Sequence, residues 1–154
     1  MLEKLPHHKR IVHSLAPSTE DPEIFAAIFT YYPEGDVRYW MRRRYEKKSV
    51  PEMIIWRFFV QMAQALAFIH GDISADRKKP GMMLHRDIKP DNILVAYNGN
   101  KYPSFKLIDF QLADVLEKEM PEKSNFLGTY SWQPPENPKI NTKAADIWSM
   151  GASL

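Results

Sequence analysis

Apolar positions run along this chain in different rhythms. Residues 23–32 (EIFAAIFTYY) form an almost unbroken apolar stretch rich in Ile, Phe and Tyr, which predicts a buried strand. Pro33-Glu34-Gly35-Asp36 then supplies turn chemistry, and residues 37–44 predict a short helix. The most regular pattern follows. Ile55, Phe59, Met62, Leu66 and Ile69 recur at helical spacing, which predicts a long helix over 51–70 with that face in the core. Ser49 and Glu52 stand at capping-box spacing with Pro51 tolerated in the first turn, and His70-Gly71 marks the stop.

Beyond this helix, residues 72–81 (DISADRKKPG) are polar, basic and unpatterned, as in a surface loop. Two short apolar runs, 93–97 and 105–108, flank Asn98-Gly99; that dipeptide predicts a turn, and the pair reads as a hairpin with a longish loop. Residues 117–123 are charged and read as exposed. Pro134, Pro135 and Pro138 break regular structure, and 144–154 begins a further apolar helix. No internal repeat or low-complexity tract is present.

Composition narrows the function classes. The 154 residues fall within the range of one domain, and 44% hydrophobic with 26% charged residues is a globular balance. The 21 basic and 19 acidic side chains leave a net charge of +2, so nothing electrostatic argues for a nucleic-acid partner. The run Arg42-Arg43-Arg44 with Lys47-Lys48 reads as a solvated face. Cysteine is absent, which removes disulfides and Cys-ligated zinc and fits a reducing compartment. The longest apolar stretch, 53–69, is interrupted by Arg57, Gln61 and Gln64 and reads as a poor membrane span. The opening MLEKLPHHKR has charge and proline where a secretion signal needs an apolar core. The expectation is an intracellular protein, cytoplasmic or nuclear, with no nucleic-acid or membrane partner. Its oligomeric state is not legible.

Four motifs carry chemistry. His85-Arg86-Asp87-Ile88-Lys89-Pro90-Asp91-Asn92 is the first, and Asp109-Phe110-Gln111 follows Asn92 at a spacing of 17. Gly128-Thr129 then precedes Pro134-Pro135-Glu136, and Asp146-Ile147-Trp148-Ser149-Met150-Gly151 comes last. In residue type, order and spacing they resemble the catalytic loop, the magnesium-binding segment, the end of the activation segment and the start of the large lower-lobe helix of eukaryotic-type serine/threonine protein kinases. The resemblance runs from about residue 5 to 154, as in a kinase domain truncated at both ends. It implies an α+β, protein-kinase-like fold over 1–154. Residues 1–32 would be an upper-lobe remnant and hinge, and 33–154 an incomplete helical lower lobe.

The resemblance also implies ATP and Mg2+ as cofactors and a protein substrate with a serine or threonine acceptor. Phosphoryl transfer asks a protein for a positioned hydroxyl and for counter-charge more than for covalent chemistry. Asp87 would then accept or orient the hydroxyl proton, Lys89 would neutralise the γ-phosphate, and Asn92 and Asp109 would hold magnesium. Phe29 would stand as gatekeeper and Tyr31 in the adenine-binding hinge. Asp36 would approach the ribose, and Leu94 would form the adenine floor; Phe29 and Leu94 read equally well as core. Thr129 would shape the acceptor site, with turn capping as its plainer reading. Arg86 would read a phosphate on the segment 109–136, with Ser124 as its candidate or else an ordinary loop serine.

Departures from the pattern keep a second function open. No G-x-G-x-x-G occurs, the six glycines being isolated at 35, 71, 81, 99, 128 and 151, and no strand lysine of the V-A-I-K type precedes the hinge. Residues 5–12 resemble the segment after the family's helix C, so the helix glutamate would lie upstream of Met1. Gln111 stands where the family has a glycine with backbone freedom, and Pro134 where it has alanine. The chain therefore reads either as part of an active kinase or as an inactive kinase-like module, or fragment, that binds proteins.

Overall fold

The computed structural model describes residues 5–16, 27–71, 82–97, 99–116, 127–136 and 140–154. In chain order these form strand β1 (Ser14–Ala16), β2 (Ile28–Phe29), helix α1 (Val37–Tyr45), α2 (Glu52–Ile69), β3 (Met82–Leu84), β4 (Ile93–Ala96), β5 (Ser104–Leu107), β6 (Asp114–Leu116) and α3 (Lys143–Gly151). The strands make three antiparallel pairs, β1 with β2, β3 with β6 and β4 with β5. The expectations at 72–81, Asn98, 117–123, Ser124 and Pro138 lie outside the described residues.

The core lies where α2 rests on β5. Phe58 and Phe105 are fully buried and meet edge to face at 5.3 Å, and Trp40 of α1 meets Phe105 at 6.0 Å. Burying each such ring stabilises the fold by about 1.5–3 kcal/mol. The predicted helix is present, but its buried face is Ile54, Phe58, Gln61, Met62, Ala65, Leu66, Phe68 and Ile69. Ile55 and Phe59, taken from the pattern as core, are only partly buried. The face departs only at the start of the helix, where Phe58, not Phe59, meets the β5 aromatic; Met62, Leu66 and Ile69 are buried as the pattern predicts. Gln61 is buried for a reason that apolar spacing hides: its Oε1 accepts the Phe105 backbone N–H at 2.9 Å.

The helix start also departs from the reading. Pro51 is the N-cap residue and no side chain caps the helix, so Ser49 and Glu52 form no capping box. Glu52 instead accepts from Trp56 Nε1 at 3.0 Å. By length and composition α2 could cross a membrane, at mean hydropathy 1.3, although its apolar face packs on the core.

The β1–β2 ribbon corrects a second expectation. The predicted buried strand appears, among described residues, only as Ile28–Phe29, and both side chains are exposed. A two-stranded ribbon with nothing described over its face cannot bury its side chains. Ser14 pairs with Phe29 and Ala16 with Ile28. Residues 10–12 extend the other sheet: Leu107 N–H donates to Arg10 O and Val12 N–H to Leu107 O.

The hairpin prediction is met. β4 and β5 pair in register from Ile93↔Leu107 to Ala96↔Ser104, and Gly99 takes φ 73°, the left-handed turn geometry that favours glycine. The turn that starts α1 packs against this hairpin. Asp36 caps α1 by accepting from Tyr39 N–H at 2.8 Å, and Val95 N–H donates to Gly35 O at 3.0 Å. Gly35 sits at φ 72°, and a Cβ there would meet the Tyr39 ring at 3.1 Å, so the position needs glycine on both counts. Arg42, Arg43, Arg44, Lys47 and Lys48 are exposed, as expected of a solvated face.

Candidate active site

β3 leads straight into His85-Arg86-Asp87, and β5 leads into Ile108-Asp109-Phe110. The two segments are tied by the imidazole of the first. His85 is fully buried, its Nε2 lies 2.9 Å from Ile108 O, and its ring meets Phe110 edge to face at 4.8 Å. Its Nδ1 accepts the Asp87 N–H at 3.3 Å, so the hydrogen-bonded tautomer is neutral with the proton on Nε2. Burial pushes the imidazole below its ordinary pKa against the opposing pull of Asp146 and the Ile108 carbonyl.

Asp87 is the focus of the site. Its Oδ1 accepts from Thr129 Oγ1 at 2.7 Å and from Thr129 N–H at 3.0 Å. Its Oδ2 accepts from Lys89 Nζ at 2.7 Å and from Asn92 Nδ2 at 3.0 Å. Burial alone would raise its pKa, but hydrogen bonds from Lys89, Thr129 and Asn92 outweigh burial and hold the carboxyl below the usual value. It is therefore ionised near neutrality. Lys89 Nζ also donates to Thr129 Oγ1 at 2.9 Å. Thr129, which read as either an acceptor-site residue or a turn cap, makes no side-chain cap to the 3-10 turn Tyr130–Trp132; its hydroxyl is on Asp87. A carboxylate held by an ammonium and a hydroxyl can take or orient a proton and offers positive charge beside it.

Asn92 closes the 3-10 turn Pro90–Asn92 and is buried. Both its Nδ2 bonds go to Asp87, to the backbone O at 2.9 Å and to Oδ2, which leaves Oδ1 as the amide's open acceptor. Ile108 N–H donates to Asn92 O at 3.0 Å, so Asp109, one residue on, emerges at the same end of the β4–β5 hairpin. Its side chain is exposed. An open amide oxygen and an exposed carboxylate are hard donors that suit Mg2+, which keeps several sites for phosphate and water; the residues present fit that ion. Among the described residues no group of three His, Cys, Asp or Glu could enclose a metal by itself.

Two residues of the site hold strained backbone. Arg86 takes φ 69° and Asp109 φ 61°, the only non-glycine positive values described. Gln111 is not among them, so the freedom a glycine would bring at that position is not used here. Its N–H donates to Asp109 Oδ1 at 3.3 Å.

Three residues of this assembly escaped the sequence reading. Asp146, on the buried face of α3, accepts His85 N–H and His70 Nε2 through Oδ2 and Arg86 N–H through Oδ1, each at 2.9 Å. His70, read only as a helix stop, is its buried partner. Asp114 takes the Arg86 guanidinium. The one signal for Asp146 was its motif; His70 and Asp114 carried none.

The nucleotide-side candidates gather less tightly. Asp36 and Leu94 face each other across an isolated antiparallel bridge, with Leu94 partly buried and an Asp36 oxygen used as the helix cap. Phe29 is 44% and Tyr31 84% exposed, so neither packs in the core. Ser124 lies outside the described residues.

Comparison with known proteins agrees with the fold. The protein kinase domain family matches over residues 1–154, and the chain belongs to that family, with its α+β protein-kinase-like fold represented by helices and small sheets. Similar proteins include "Serine/threonine-protein kinase tousled-like 1" of Caenorhabditis elegans, 30% identical over 94% of this chain and 15% of that protein. "Probable serine/threonine-protein kinase nek2" of Dictyostelium discoideum is 31% identical over all of this chain and 35% of its own length. "Dual specificity mitogen-activated protein kinase kinase mek-2" of C. elegans is 35% identical over 68% of this chain and 24% of its length. The chain thus spans 15 to 35% of the length of these relatives.

Proposed function

We propose that this chain is the catalytic-loop portion of an ATP-dependent kinase that phosphorylates serine or threonine in protein substrates inside the cell. The observation that carries the reading is Lys89 Nζ, which touches both Asp87 Oδ2 and Thr129 Oγ1. That arrangement puts a carboxylate base, a cation and a hydroxyl at one point. Asp87 orients the acceptor hydroxyl and takes its proton as the new P–O bond forms and the bond between the γ-phosphorus and the bridging oxygen breaks, releasing ADP. Lys89 offsets charge on the transferring group as a point cation, and Thr129 holds the Asp87 oxygen that faces the acceptor. Asn92 Oδ1 and the Asp109 carboxylate would hold magnesium, which when bound neutralises charge on the ATP phosphates. Asp36 and Leu94 would meet the ribose and adenine, next to Phe29 and Tyr31.

A specific observation keeps the binding-module reading alive. Phe29 and Tyr31 are exposed, and Gln111 stands where the family has a glycine. One experiment separates the two. The protein carrying this chain is incubated with radiolabelled ATP, magnesium and a peptide library, beside its Asp87→Asn variant. Label on phosphoserine and phosphothreonine, lost in the variant, supports the kinase. Label on tyrosine alone refutes the acceptor class. No transfer by a folded protein refutes the kinase reading.

A further inference from the structure

Arg86 and Asp114 are 28 residues apart in sequence and adjacent in space. Strand β3 runs directly into Arg86 and Asp87, and β6 emerges from Asp109 and Phe110. The two strands are antiparallel, with Leu84 opposite Asp114. Asp114 therefore stands beside the chain just before the catalytic loop, on the strand that continues from the candidate magnesium segment. The Arg86 Nη2 donates to Asp114 Oδ2. The Arg86 side chain is 7% exposed and that of Asp114 36%.

A guanidinium is charged at every accessible pH, and a buried one needs a counter-anion to persist. The backbone adds a second demand. Arg86 sits at φ 69°, a conformation an L-residue keeps only where its surroundings hold it. Among its holds are Asp146 Oδ1 on the Arg86 N–H and Asp114 on the side chain. The residue so clamped is the one before Asp87, and a turn at Arg86 would swing the Asp87 carboxylate.

We propose that Asp114 is a positioning residue whose carboxylate neutralises Arg86 and thereby fixes Asp87, so that the catalytic loop keeps its geometry without a phosphate on the segment 109–136. The inference rests on the phosphoryl-transfer reading above. A phosphate on that segment carries about −1.5 to −2 charges and would meet Asp114 at the guanidinium they both seek. The built-in Asp114 carboxylate already holds the guanidinium through Nη2.

The test uses the whole protein after phosphatase treatment, with intact mass confirming that no phosphate remains. The wild type should keep its kcat within about twofold, and Asp114→Asn should lower kcat by about tenfold or more with the KM for ATP changed less than about threefold. Asp114→Glu, which keeps the charge, should recover most of the loss. Arg86→Gln with Asp114→Asn should be no slower than the worse single variant, because either change already removes the pair. If Asp114→Asn does not fold, this double variant, which buries no unpaired charge, reads the same loss. Wild-type activity abolished by phosphatase overturns the proposal, as does an Asp114→Asn enzyme as fast as the wild type. If no form transfers phosphate, the functional reading fails separately. Hydrogen exchange then decides the positioning: faster exchange at the amides of 86, 87 and 88 in Asp114→Asn, with α2 unchanged, supports it, and equal exchange refutes it.

Discussion

The catalytic loop and the β1–β2 ribbon are built on opposite plans. Around Asp87, side chains from the loop, from Thr129 and from α3 converge in short hydrogen bonds, and His85 and Asp146 are buried with their polar atoms satisfied, as is the Nδ2 of buried Asn92. The ribbon has two short strands, a broken register between Ser14 and Ala16, and exposed Leu15, Ile28 and Phe29. The difference teaches that the cluster around Asp87 is held by bonds internal to these residues. The ribbon presents apolar side chains that no described residue covers. A buried polar network tolerates little change because each lost partner strands another, whereas a half-exposed ribbon has little to lose.

The largest contrast should come from paired aromatic truncations. Phe105→Ala empties the fully buried contact with Phe58 and Trp40 and should cost about 3–5 kcal/mol. Phe29→Ala on the exposed ribbon should stay within about 0.5 kcal/mol. Urea unfolding measures both, and equal losses would erase the distinction between the regions.

Next, Asp146→Ala strips the acceptor from His70, His85 N–H and Arg86 N–H. The expected loss is about 3 kcal/mol, since each stranded buried donor costs about 1 kcal/mol or more. An unchanged urea midpoint would show that the knot around Asp87 does not depend on α3.

The network should also respond to acid. The unfolded state binds a proton on His85 near pH 6.5, while the buried imidazole resists it to lower pH. Below about pH 6.5 the unfolded state thus holds more protons, and stability should fall as pH falls, by at most about 1.4 kcal/mol per pH unit for this one group. His8 and His13 are also held low, chiefly by partial burial, and act with the same sign. His85→Gln should flatten the pH dependence of the unfolding free energy. A slope identical to wild type would mean that His85 is not the buried neutral base described.

The smallest effect should be at Arg38–Asp91, an ion pair whose side chains are 38 and 41% exposed. Arg38→Ala should shift stability by about 0.5 kcal/mol or less, even though the pair links α1 to the turn that carries Asn92. A loss several times larger would extend the rigid region around Asp87 as far as α1.

Local pattern made much of this molecule legible. The β4–β5 hairpin, the short helix after Gly35 and the long helix could be read from spacing and turn residues, because these signals lie within a few residues of each other. The order of the motifs pointed to the catalytic cluster and to Asp87, Lys89 and Asn92, whose mutual bonds span at most five residues. Where a helix or strand meets its neighbours, the pattern was less informative. Apolar spacing did not reveal that Phe58 rather than Phe59 faces β5, since both residues are phenylalanine. Nor did Ser49 disclose that Pro51 would start the helix uncapped.

By itself, then, the chain's sequence determined which residue types stand at the reaction point and which segments are helix or hairpin, since both follow from neighbours in sequence. Tertiary structure alone decided what holds them. Asp146 reaches 61 residues back to the His85 N–H, Asp114 reaches 28 back to Arg86, and Thr129 reaches 42 back to Asp87. No spacing rule encodes such distances; they exist because burial leaves each donor one available acceptor, and the packed fold brings that acceptor into reach.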